Sequence, residues 1–137
     1  MTTATITITI NKFRALGSVF PISATMAMPA TPGATFDGES ITITAPGPAQ
    51  LTFSLPSNQY VLLGVSFVAN TPYNGGTDLG RGEFPLVTIT RSNTAGSNLT
   101  VDDQNYNELP YDYVLLVQSV SDGSIGLIDP FIRYQPL

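Results

Sequence analysis

The chain has 137 residues, enough for one domain with its own buried core, and 42% of them are hydrophobic while only 11% are charged. It contains neither cysteine nor histidine, which excludes disulfides, thiolate nucleophiles, Ser–His and Cys–His catalysis, and zinc or haem held by those residues. Ten acidic against five basic residues give a net charge of −5, so nucleic acid and anionic membrane surfaces are repelled overall and neither is expected as a partner.

The first residues, MTTATITITINK, lack the basic start and compact apolar block of a secretion signal, and no apolar run reaches bilayer-spanning length; a cytoplasmic location is expected. From Thr3, TATITITI alternates apolar and polar residues. Successive strand side chains point to opposite faces, so this run predicts a strand with one buried face, and one that must be paired within a sheet to avoid aggregation. The alternation returns in SITITA from Ser40 and QLTFSL from Gln50, set apart by the turn-forming clusters ATPGATFDGE and APGPA. The continuous apolar run YVLLGVSFVA, from Tyr60 to Ala69, predicts a central strand buried on both faces.

The Gly- and Asn-rich stretch from Thr71 to Gly82 is the longest loop expected, and the first place to look for a binding surface. Beyond it, LVTIT from Leu86 and NLTV from Asn98 are further half-buried strands. DDQNYNE from Asp102 places Asp103, Asn105 and Asn107 at alternate positions, as in a calcium loop. The glycine and the bidentate glutamate that such a loop requires are replaced by Glu108 and Val114, so neither metal nor cofactor is assigned. Short strands with this punctuation and no sustained helical period predict an all-β, antiparallel β-sandwich, a single domain over residues 1–137.

In the C-terminal hairpin, Asp122-Gly123 lies between Tyr113–Val120 and Ser124–Tyr134 and carries the signal of a type I′ turn. A two-residue turn there pairs Val120 with Ile125, Asp112 with Arg133 and Leu116 with Asp129. It places Asp129 on one face with Ile125, Leu127 and Phe131, where desolvation favours a protonated carboxyl.

Asp129 is followed by Pro130, and an Asp-Pro bond is chemically special. The aspartyl carboxylate can attack its own carbonyl, while the tertiary amide nitrogen of proline is more basic and leaves more readily once protonated. Hydrolysis needs an acid at that nitrogen and a base or nucleophile at the carbonyl, and two carboxylates with separated pKa values can divide this work. Asp112, Glu108, Asp102 and Asp103 lie in or just before the penultimate strand; Asp112, then Glu108, are the partners named for Asp129. The alternative is that Asp-Pro merely shapes the last strand.

The run DPFIRYQP at the end of a small, cysteine-free, strand-rich chain resembles the DP-EP family of small bacterial proteins, through Asp129, Pro130, Ile132, Pro136 and the preceding YDYVLLV strand with its glycine turn. The resemblance implies a β-sandwich that cleaves itself at this bond as an aspartic-type endopeptidase, the freed aspartate being able to bond to a lysine. The family's lysine near the penultimate strand is absent; that region holds Asp112, and the single lysine of the chain is Lys12. Two rival readings are a non-enzymatic binding or assembly module and an adhesin-like domain with an isopeptide bond from Lys12 to the last strand. The expected partner is the protein itself, through self-cleavage and homo-oligomer formation by a freed end strand.

Overall fold

The computed structural model describes residues 1–38, 40–69, 84–92, 96–105, 111–128 and 133–136, with the backbone alone described for 68–69, 111–112 and 133–136. The strands are β1 (Thr2–Lys12), β2 (Ser23–Ala27), β3 (Ala34–Phe36), β4 (Ser40–Ile43), β5 (Ala49–Leu55), β6 (Tyr60–Ala69), β7 (Leu86–Ser92), β8 (Gly96–Asp103), β9 (Tyr111–Ser119), β10 (Ile125–Ile128) and β11 (Arg133–Pro136). Among the described residues there is no helix. No described helix is therefore long and apolar enough to cross a membrane.

The first sheet runs β2-β1-β5-β8-β7. The threonine-isoleucine alternation of β1 resolves as expected. Ala4, Ile6 and Ile8 are buried, Thr3, Thr5 and Thr7 are exposed, and the strand is paired on both edges, to β2 antiparallel and to β5 parallel. Direct cross-strand neighbours then form rows on the inner face, such as Ile6, Phe53, Leu99 and Ile89 across β1, β5, β8 and β7. On the outer face, the hydroxyls of Thr52 and Thr100 meet at 3.1 Å.

The second sheet runs β10-β9-β11-β4-β3, with β6 on the other edge of β9. Its inward residues include Ile41, Ile43, Leu62, Leu115 and Val117, all at most 1% exposed. The Phe53 ring of the first sheet lies 5.3 Å from Tyr113 of the second, and Phe67 of the second stacks at 4.0 Å on Phe84, two residues before β7. The result is an all-β sandwich in which most pairs are antiparallel, with β1–β5 and β4–β11 parallel.

Among the described strands the apolar run of β6 has one neighbour, not the two expected of a central strand, which corrects the sequence expectation. That neighbour is β9, and the register slips between Leu62 and Gly64. The bulge changes which residues face inward: Leu62 and Phe67 are buried, whereas Leu63, Gly64 and Val65 are half-buried. The central strand is β9, in which Tyr113, Leu115, Val117 and Ser119 face the core.

A further element closes the free edge of β10. The segment between β1 and β2 crosses to the second sheet, where the Leu16 N–H donates to the Ile125 carbonyl at 2.7 Å and the Ile22 N–H to the Leu127 carbonyl at 2.9 Å. Such close approach requires glycine at position 126: a Cβ there would collide with the Arg14 carbonyl oxygen and with Ile22 Cδ1 at 2.8 Å. The segment turns back at Ala15–Ser18, where Gly17 takes φ 93°.

Candidate functional site

The register of the final hairpin departs from the sequence expectation in two compensating steps. The turn is a four-residue loop, Val120 to Gly123, closed by Ser119 N–H to Ser124 O at 2.8 Å and Gly123 N–H to Ser119 O at 2.9 Å. A type I′ turn needs positive φ at both central residues, but Gly123 (φ 77°) has it and Asp122 does not. Asp122 instead uses Oδ1 to accept the Ser124 N–H at 3.0 Å and the Ser124 hydroxyl at 2.7 Å, and these hydrogen bonds hold its carboxyl below the usual range.

Ile125 consequently pairs with Gln118 rather than Val120, and Leu116 faces Leu127 rather than Asp129. Further along, Arg133 pairs with Asp112, as the sequence predicted. Both statements hold because the register steps by two residues in between. Ile128 pairs with Leu115 and Arg133 with Asp112, so the chain has four residues, 129–132, where β9 has two, Tyr113 and Val114. Asp129 and Pro130 are two of those four residues by sequence. Asp129, Pro130 and Glu108 lie outside the described residues, and so does the predicted Thr71–Gly82 loop. For Asp112 the backbone position opposite Arg133 is described.

The two neighbouring acids differ sharply in environment. Asp102 is half-buried on the outer face of β8 and accepts from Gln50 Nε2 at 3.3 Å. Asp103 points inward and is 1% exposed. Its Oδ1 caps the Asn105 N–H at 2.8 Å, and its Oδ2 is buried with no hydrogen-bond partner. Asn105 adopts φ 54° and reaches across with Nδ2 to the carbonyls of Ala45 (3.1 Å) and Gly47 (2.9 Å), tying the end of β8 to the loop before β5. Thus the Asp103–Asn105 pair stabilises a chain junction. Among the described residues no group of three or more potential metal-ligating side chains comes together.

Tyr113 is the second buried group with an unused polar atom. Its ring lies between Phe53 and Phe67, its hydroxyl has no partner, and burial pushes its pKa well up, which keeps it a neutral O–H. From the sequence, Asp103 stands only among the acids near the penultimate strand and at a calcium-loop-like position, and the burial of Asp103 and Tyr113 is not anticipated. The signal for Asp103 was present, because it shares parity with Leu99 and Val101 on β8.

Lys12 is exposed at the end of β1, in the first sheet, whereas β11 is in the second. The first and last strands are therefore not hydrogen-bonded neighbours in one sheet, unlike the arrangement behind the isopeptide reading. Compared with known proteins, the chain matches no family model and no curated sequence.

Proposed function

We propose that the protein hydrolyses its own Asp129–Pro130 bond, acting in cis as an aspartic-type endopeptidase. The observation that carries this reading is the two-residue register step between Ile128 and Arg133. Register irregularities of this kind gather beside active sites. In the proposed reaction the Asp129 carboxylate attacks its own main-chain carbonyl, the C–N bond to Pro130 breaks, and the nitrogen takes a proton. Water then opens the cyclic anhydride, leaving an aspartate terminus on one piece and a free proline nitrogen on the other. A second carboxylate, Asp112 ahead of Glu108, orients that water.

The fold adds a consequence. β11 is paired antiparallel to β9 on one side and parallel to β4 on the other, so the product strand stays seated after hydrolysis. Mass measured in denaturant after incubation in mild acid should therefore reveal two pieces, while native mass shows one particle heavier by a single water. Denatured protein at the same pH controls for the intrinsic lability of Asp-Pro, and Asp129→Ala should remain whole. Equal or slower cleavage in the folded state would overturn the proposal.

A second reading, a non-enzymatic assembly module, is favoured by β7. This strand pairs with β8 alone among the described strands, and all its residues are exposed, including Leu86, Val87 and Ile89. An open, apolar strand edge is suited to pairing between copies. Sedimentation that is independent of concentration, and unchanged by Ile89→Lys, would dismiss it.

A further inference from the structure

The segment that closes β10 also builds a groove. Between its two anchoring hydrogen bonds, at Leu16 and Ile22, the chain arches away from β10 and encloses about 430 Å³ with Leu127. That volume falls in the range of small-molecule sites. Its apolar wall is formed by Leu16, Val19, Phe20 and Leu127, and the first three are 58%, 91% and 64% exposed. Exposed apolar side chains gathered in one place mark candidate binding surfaces. Here the arch is held at both ends, so these side chains stand open instead of collapsing.

Among the described residues one charged group lines the groove. Arg14 is half-buried, donates from one guanidinium nitrogen to the Pro21 carbonyl at 2.8 Å, and lies 5.5 Å over the Phe20 ring. A guanidinium has five N–H donors, and a carbonyl and a ring face leave most of them unused. Among the described residues it has no carboxylate partner. The local sequence supplies none either, since all ten acids of the chain lie at or beyond Asp37. A cation with no counter-ion among the described residues, set in an apolar trough, is complementary to one negative charge on an apolar body.

We infer that this groove binds a free acyl carboxylate, with the carboxylate on Arg14 and the hydrocarbon against Leu16, Val19, Phe20 and Leu127. The inference is independent of the chemistry at Asp129–Pro130. The full-length, isotope-labelled protein is titrated with octanoate, 1-octanol and octylammonium below their aggregation limits, and amide shifts are followed. Octanoate should shift the amides of residues 14–22 and 125–127 saturably. Octanol should bind at least about tenfold more weakly, as expected for loss of a charge-assisted hydrogen bond, and octylammonium not at all. Arg14→Gln should lower octanoate to the level of octanol, Arg14→Lys should keep most of the preference, and Phe20→Ser should weaken octanoate and octanol alike. Equal binding of octanoate and octanol, shifts centred elsewhere, no saturation, or tighter binding of an apolar peptide carboxylate than of octanoate would each overturn the assignment.

Discussion

Gly126→Ala tests whether the segment between β1 and β2 is a structural part of the second sheet. The added Cβ meets the Arg14 carbonyl oxygen, which is backbone, and Ile22 Cδ1 at 2.8 Å and Cγ1 at 3.0 Å; Ile22 is itself 3% exposed and cannot swing into solvent. Two responses are open. If the contact is absorbed in place, the strain of overpacking costs about 1–3 kcal/mol. If the segment lifts from β10, the bonds from Leu16 and Ile22 are lost, and two hydrogen bonds at about 0.5–1.5 kcal/mol each give about 1–3 kcal/mol again. Both routes predict the same loss, equivalent to roughly 3–6 °C in Tm per kcal/mol for a domain of this size. Gly64→Ala is the control. Nothing lies within 4 Å of its added Cβ, so it should be neutral or stabilise by up to about 1 kcal/mol through reduced freedom of the unfolded chain. Urea unfolding followed by circular dichroism measures both. If Gly126→Ala unfolds within about 0.5 kcal/mol of the parent, the segment does not bear on β10 and the reasoning fails.

Two further substitutions probe the buried polar groups. Ser97→Ala removes the hydroxyl that accepts the buried Leu62 N–H at 2.8 Å, at the bulge of β6, and should cost about 1–3 kcal/mol while speeding hydrogen exchange at Leu62; unchanged exchange would show that the amide has another acceptor. Tyr113→Phe deletes a hydroxyl that is buried without a partner, so at neutral pH it should be neutral or stabilising by up to about 1 kcal/mol. Because the folded-state pKa of Tyr113 lies above its unfolded value near 10, the stability linked to its protonated form is complete below that pH and is lost as pH rises through and beyond it. The phenylalanine variant should escape this alkaline loss, and an identical alkaline profile for the two proteins would contradict the assignment.

The all-β class, the strand runs and the parity of β1, β5 and β8 were legible in the sequence, because alternation is a local property: a strand with one buried face must write its burial every second residue. The same parity marked Asp103 beside Leu99 and Val101, although its near-complete burial depends on the second sheet and on Asn105 closing over it. Partner choice is not local. Nothing in TITITI specifies that β1 takes β5 in parallel, and nothing in YVLLGVSFVA marks β6 as having a single neighbour among the described strands, since an apolar run reads alike with one neighbour or two. The hairpin register turned on the φ of a single residue: with Asp122 at negative φ the loop took four residues, moving Leu116 from Asp129 to Leu127, and the step before Arg133 restored the expected partner of Asp112. Likewise, the sequence around Arg14 shows a basic, apolar loop without acids, but only the docking of Leu16 and Ile22 on the edge of β10 turns it into a groove. An irregular segment acquires a fixed shape from the backbone donors and acceptors that a neighbouring strand offers, and those are brought to it by tertiary packing.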